Sequence, residues 1–261
     1  PRRGHACPLP KCILFSYKSI PMSTMRINRF VAATGAISRR KADELVRAGR
    51  VRINGTRALL GDIVDPEEDE ISLEGRILSR QTTCVLVMYK PKNMLTTLSD
   101  PQGSPCISDL IPKQYRGVFP VGRLDFDAEG LLILTNDGDL AHALHHPSYR
   151  VPKTYLVKVT PSATRDAMER MERGVVLDGK KTLPAKIVFA HESSEGSTLR
   201  ITLIQGLKNQ IKRMAVAVGL RVVSIKRISV GPLVLKGLSP GDIRELNPAE
   251  VSLLHKIRKK Q

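Results

Sequence analysis

The sequence predicts an α+β protein in two parts, a small helix-helix-hairpin unit followed by a larger domain built on a mixed, mainly antiparallel sheet. Three observations carry this. Two short apolar helical stripes near the front each stop at a glycine, and the second leads into alternating residues around an Asn-Gly pair. Further on, the β-rich runs "CVLVMYKP", "TYLVKV", "AKIVFA" and "LRITLI" are interleaved with few helical patterns, unlike the regular alternation that builds a parallel sheet. No segment recurs at a fixed period, so a repeat architecture is excluded.

The small unit starts at Met25. In "MRINRFVAATGAISRRKADELVRAGRVRINGTRA", Ile27, Phe30 and Val31 share one helical face until Gly35. Ser38 stands where a second helix is capped, and Ala42, Leu45 and Val46 repeat the spacing as far as Gly49. "RVRINGTRA" then reads as two strands around the turn Asn54-Gly55. The expected boundaries are 25–72 for this unit, 73–82 for a linker, 83–247 for the larger domain and 248–261 for a basic tail. "DPEEDE", residues 65–70, is expected as a solvated turn between the domains. Residues 1–24 carry Arg2, Arg3, Lys11 and Lys18 without an acid, and their apolar run "CILF" is too short for a signal-peptide core; a disordered leader is expected.

The charge balance narrows the partner. With 42 Lys and Arg against 25 Asp and Glu, the net charge of +17 attracts polyanions, and nucleic acid leads. No apolar stretch approaches the roughly 18 residues that span a membrane. Aromatic residues are 4% of the chain and Trp is absent, which disfavours a platform that stacks many bases and favours an RNA recognised as a folded shape. Cys7, Cys12, Cys84 and Cys106 form no C-x-x-C pair, as expected of reduced thiols in the cytoplasm. Arg39, Arg40 and Lys41 crowd the first turn of the second helix, where the helix dipole disfavours cations. That local cost points to phosphate contact, and Arg47, Arg50, Arg52 and Arg57 extend the same cationic surface.

Against this positive field stands "GRLDFDAEGLLILTNDG", residues 122–138, with four aspartates and a glutamate. Three chemistries compete for it. "DFDAEG" opens like a calcium loop, but the closing position holds Asn136 and the intervening "LLILT" is strand-like. A pair of carboxylates for glycoside hydrolysis or for clamping a metal would need them on one side, whereas Asp125 and Asp127 diverge in an extended segment, and Asp137 and Asp139 fit a turn and a helix cap. The third possibility is a single reactive carboxylate, Asp125, with Gly122 permitting close backbone approach and Arg123 beside it to meet RNA. His142, His145 and His146 lie around one helical turn without a third ligand at metal spacing.

"SRRKADELVRAGRVRING" resembles the alpha-L RNA-binding domain known from a small-subunit ribosomal protein. "VGRLDFDAEGLLILTNDG" resembles the signature of the pseudouridine synthases, in the branch that modifies ribosomal RNA and carries an alpha-L module. The similarity runs from about Arg26 to Gly231, through "YKPKNMLTTLSDPQG", "HPSYRVPKTYLVKV" and "QGLKNQIKRMAVAVG" in the family's order. It implies that Asp125 is the catalytic aspartate, that Arg123 helps hold the flipped nucleotide, and that Tyr155 is the active-site tyrosine. It also implies an apolar residue near the base at Ile211 and, at Lys212, a basic partner for Asp125 where Arg is common. Asn93 stands where many relatives have Gly.

Such an enzyme breaks the bond from uracil nitrogen to ribose, turns the base and rejoins it through carbon, so no cofactor or metal is expected. The aspartate acts as a nucleophile on the sugar or takes a ribose proton, and the resemblance leaves both open. The expected partner is ribosomal RNA or a precursor particle, in large-subunit RNA before small-subunit RNA, with the protein a cytoplasmic monomer. A noncatalytic RNA-binding assembly protein is the alternative, and Asp125 separates the two: a mere binder gains nothing from a carboxylate that repels phosphate.

Overall fold

The computed structural model describes residues 24–35 and 37–258. The expected leader, apart from Thr24, and the last three residues of the expected tail lie outside them. The chain divides into two compact units. Among the described residues, one comprises 24–31 with Arg39–Leu78, and the other comprises those of 32–38 and 79–258.

In the small unit, β1 (Met25–Arg26) pairs with β4 (Ile63–Val64), and α1 (Ile27–Ala33) and α2 (Arg39–Arg47) precede the four-stranded sheet β3-β2-β5-β6. Here β2 is Val51–Ile53, β3 Thr56–Arg57, β5 Ile71–Leu73 and β6 Arg76–Ile77. The apolar stripes are as read: Ile27, Phe30 and Val31 are buried from α1, and Ala42, Leu45 and Val46 from α2. Asn54 and Gly55 both have positive φ, 49° and 81°, the geometry of a two-residue hairpin whose turn follows the twist of its strands.

Two boundaries move. The unit runs to Leu78 with β6, so the first half of the expected linker at 73–82 is strand and turn of the small unit. "DPEEDE" is a turn inside the small unit rather than between domains. Asp69 accepts from Asn54 Nδ2 at 2.8 Å and from the Asp65 N–H at 2.7 Å, which ties the turn to the hairpin.

The second unit is built on a nine-stranded sheet. Its strands are β7 (Val85–Lys90), β8 (Phe119–Pro120), β9 (Glu129–Thr135), β10 (Lys153–Thr160), β13 (Lys186–Ser193), β14 (Gly196–Leu203), β15 (Arg221–Val230), β16 (Leu233–Val234) and β17 (Ile243–Glu245). A separate two-stranded ribbon is formed by β11 (Val176–Leu177) and β12 (Lys180–Lys181). The order is β13-β14-β10-β15-β9-β7-β17, with β16 on β15 and β8 on β9. Every pairing is antiparallel except β9 with β15. The helices are α3 (Gly138–His145), α4 (Arg165–Arg173), α5 (Gln210–Ala217) and α6 (Pro248–Arg258).

β7 and β9 are apolar along their length because both faces are covered. Val85, Val87, Leu131 and Ile133 pack with Leu140 and Leu144 of α3 and Leu254 of α6, whereas Leu86, Met88, Leu132 and Leu134 pack on Ile107 and Val118. Asp137, expected in the turn, is the residue that caps α3, accepting from the N–H groups of Asp139 and Leu140 at 2.9 and 3.1 Å, while Asp139 lies in the helix's first turn. The expected basic tail is mostly the helix α6. Leu254 is fully buried with Val251 and Ile257 packed beside it, and Glu250 binds Arg244 through two bonds of 2.8 Å.

Candidate active site

The parallel pairing of β9 with β15 sets the site. Gly130 of β9 lies opposite Arg227 of β15, and a Cβ on Gly130 would stand 2.3 Å from the Arg227 carbonyl oxygen. Only glycine lets the two backbones come that close, and its φ of 114° is a conformation that side chains disfavour. The segment from Val121 to Ala128, which carries "GRLD", joins β8 to β9 immediately before this junction.

The carbonyls of this loop point inward and are met by donors from beneath. Lys90, wholly buried at the end of β7, shares its three ammonium protons among four carbonyls: Ala128 at 2.8 Å, Pro91 at 2.9 Å, Asp125 at 3.2 Å and Phe126 at 3.5 Å. Thr96 donates to the Leu124 carbonyl at 2.7 Å and accepts from the Leu124 N–H at 3.2 Å. The Asn93 N–H donates to Phe126 at 2.8 Å. Asn93 itself has φ of 58°, a left-handed conformation that Asn tolerates better than most residues. Arg227, 3% exposed, donates through Nε to Leu131 at 2.7 Å and reaches the Arg123 carbonyl at 3.4 Å. Burial pushes the Lys90 ammonium down to about 8.

With its backbone held from below, the loop turns its polar side chains outward. Leu124 is buried, Asp125 is half-buried, and Arg123, Phe126 and Asp127 are exposed. A turn closed by the Ala128 N–H on the Asp125 carbonyl, at 3.1 Å, separates the two aspartates. Among the described residues, none hydrogen-bonds or ion-pairs with the Asp125 carboxylate. The expected partner, Lys212, binds Asp127 instead, with 2.7 Å to each carboxylate oxygen. That corrects the implied Lys212–Asp125 pair. The Lys212 ammonium is engaged by both oxygens of the carboxylate at the third position of the turn, and this bond holds the Asp127 carboxyl below its ordinary range.

Tyr155 and Ile211 share one apolar cluster. Tyr155, half-buried on β10, packs against an apolar cluster that contains both Leu124, beside Asp125, and Ile211, beside Lys212. Glu129 is engaged elsewhere, accepting from the Tyr89 hydroxyl at 2.7 Å with Lys92 at 3.7 Å. In the small unit, Arg39, Arg40 and Lys41 are exposed at the start of α2. Lys41 reaches Glu44 at 2.8 Å, Arg50 pairs with Glu74, and Arg52 donates to the Gly55 carbonyl at 2.8 Å.

Known proteins match both parts. Residues 84–217 match the family RNA pseudouridylate synthase and residues 25–71 match the S4 domain. The chain is 40% identical over 237 residues to an RNA pseudouridine synthase of Aquifex aeolicus, covering 90% of this chain and 95% of that one. The chain belongs to the RNA pseudouridine synthase family. It is also 35% identical to the ribosomal large subunit pseudouridine synthase B of Bacillus subtilis, over 89% of this chain and 96% of that protein. A solved structure titled as a pseudouridylate synthase superposes with a TM-score of 0.63 at 29% identity, covering 88% of this chain and 99% of that one.

In this synthase the residues that sequence reasoning missed are the inward-facing ones. Lys90 and Arg227 shape the loop from beneath without reaching its outer face. Lys90 left a trace, a lysine closing the otherwise apolar run "VLVMYK" before a proline. Asp127 as the partner of Lys212 left none, because 85 residues separate the pair in sequence.

Proposed function

We propose that this synthase isomerises a uridine of ribosomal RNA, in the large subunit, with Asp125 as the catalytic group. The observation that carries the catalytic assignment is the Asp125 carboxylate itself, half-buried and bound by no described side chain, on a loop fixed through its backbone. A group that must meet a ribose needs this combination of fixed position and unoccupied oxygens. The large-subunit preference rests on the similarity to the Bacillus subtilis protein of that name.

Within this reading Tyr155 offers a flat face to the uracil beside the apolar Ile211, and Arg123, exposed next to Asp125, fills the space that the extruded nucleotide leaves. Lys212 acts through Asp127, bracing the outer side of the turn. Arg39, Arg40, Lys41, Arg50 and Arg52 meet phosphates and hold the RNA against the cost of unstacking, a few kcal/mol. Uridine and pseudouridine are isomers, so the chemistry calls for no cofactor. The setting is the cytoplasm, with the protein a monomer, and no helix among the described residues is long and apolar enough to cross a membrane.

The test uses purified protein and a ribosomal RNA fragment with nothing else added. Conversion by the natural protein is expected, and Asp125→Asn should bind the RNA with turnover reduced at least about a thousandfold. Full turnover by the Asn variant would remove Asp125 from catalysis. Mapping pseudouridines in a strain that lacks the protein should show one large-subunit site lost; a lost site in small-subunit RNA would overturn the choice of subunit.

A further inference from the structure

The outer face of the catalytic loop carries one group that the reaction as described does not use. Phe126, directly after Asp125, is 46% exposed and belongs to none of the apolar clusters formed by the described residues of its unit. Aromatic residues are scarce in this chain, so a phenylalanine left in solvent at this position is conspicuous. Its mount is rigid. It occupies the first corner of the turn closed from Ala128 to Asp125, and its carbonyl is held by the Asn93 N–H at 2.8 Å. Arg123, three residues earlier, is exposed on the same loop, while Leu124 between them points into the core.

We infer that Phe126 is a base-stacking residue, its ring taking the nucleobase of a nucleotide that neighbours the target uridine. This rests on the proposed RNA reaction and adds to it a group that sets the register of the strand over Asp125. A nucleobase is the occupant that fits. The surrounding chain carries +17 and draws RNA, the ring is a single flat face rather than part of an apolar groove, and extruding one base exposes the faces of its neighbours. Exposed phenylalanine presented beside a cation is the pairing that single-stranded segments use, ring for base and cation for phosphate.

The experiment compares the natural protein, Phe126→Ala and Phe126→Tyr on a ribosomal RNA fragment containing the mapped uridine, with 2-aminopurine at either flanking nucleotide. A fluorescence change on binding is expected at one flanking position and should be lost in Phe126→Ala. Affinity should fall about tenfold, equivalent to about 1.4 kcal/mol, and KM should rise with it. Phe126→Tyr should restore both. Because stacking releases no counterions, the salt dependence of binding should keep its slope, and thermal unfolding should be unchanged. Phe126→Ala with unaltered KM and fluorescence change would overturn the inference, as would a loss that Tyr does not rescue. Failure of the natural protein to convert the fragment would instead sink the reaction on which the inference rests.

Discussion

The small unit and the loop at 121–128, proposed as catalytic, both depend on cations, and they use them in opposite directions. At the start of α2, Arg39 and Arg40 stand in solvent, where a charge contributes little to folding and is available to phosphate. Beneath the catalytic loop, Lys90 and Arg227 are buried and spend their protons on carbonyls of the chain itself. A charge on the surface recruits a ligand; a charge under a loop decides where that loop's other side chains point. The two roles predict different failures when the charge is removed, in affinity for the first and in stability and geometry for the second.

The largest effect is expected at Lys90. Lys90→Met keeps most of the apolar stem but takes the ammonium from the Pro91 and Ala128 carbonyls, while Asp125 keeps the Ala128 N–H and Phe126 the Asn93 N–H, and a buried polar group left unpaired costs about 1–3 kcal/mol. Denaturant unfolding should show a loss of about 3–5 kcal/mol, the upper range for single substitutions. A loss below about 1 kcal/mol would mean that the loop holds its shape unaided, and the contrast between inward and outward cations would fail.

Gly130→Ala tests the same geometry from the other strand. The added Cβ would meet the Arg227 backbone at 2.3 Å, and neither strand can retreat without breaking the single parallel pairing of the sheet. Destabilisation of about 2–4 kcal/mol is expected from overlap and from the positive φ together. Turnover measured at a temperature where the variant remains folded should also fall, because Arg227 would be displaced from the Leu131 and Arg123 carbonyls.

Much of the outward half of this comparison is legible in the sequence. Exposed cations announce themselves in composition and in runs such as "SRRK", and the catalytic loop is contiguous, so "GRLD" brings Arg123 and Asp125 together without knowledge of the fold. The Asn54-Gly55 hairpin and the apolar stripes of α1 and α2 are local patterns that tertiary structure leaves intact. The inward half is not legible. Lys90 meets the Asp125 carbonyl across 35 residues and Arg227 meets that of Arg123 across 104, and no periodicity records which carbonyl a buried cation will find. α6 was hidden for a related reason. Its buried Leu254 lies among "HKIRKK" and "NPAE", and the polar flanks outweigh one short apolar face.

A pH profile sharpens the comparison further. Burial lowers the Lys90 ammonium to about 8, so between about pH 8 and the ordinary lysine range the unfolded chain binds more protons than the folded one. The contribution of Lys90 to fold stability therefore rises across that window. Its donors fall from three to two over the same range, with four carbonyls to serve. Turnover should decline as pH passes about 8 while circular dichroism shows the fold intact. Lys153 is lowered to about 8 as well, again chiefly by burial, and a Lys153→Gln variant that keeps the decline assigns it to Lys90. Loss of activity in step with unfolding would contradict this account.

The smallest effect on folding, and the clearest for binding, is expected from the exposed pair Arg39 and Arg40. Replacing both with Ala removes side chains that stand in solvent in the first turn of a helix whose dipole disfavours them, so stability should change by less than about 0.5 kcal/mol. Binding should weaken at low salt and lose part of its salt dependence. Two phosphate contacts correspond to a decrease of about 1.4–1.8 in the slope of log affinity against log salt, depending on whether the contacted RNA is single- or double-stranded. Filter binding of the ribosomal RNA fragment between about 50 and 200 mM salt measures it. An unchanged slope would show that Arg39 and Arg40 do not face the RNA, and would leave the electrostatic share of binding to other exposed cations such as Arg52 and Arg123.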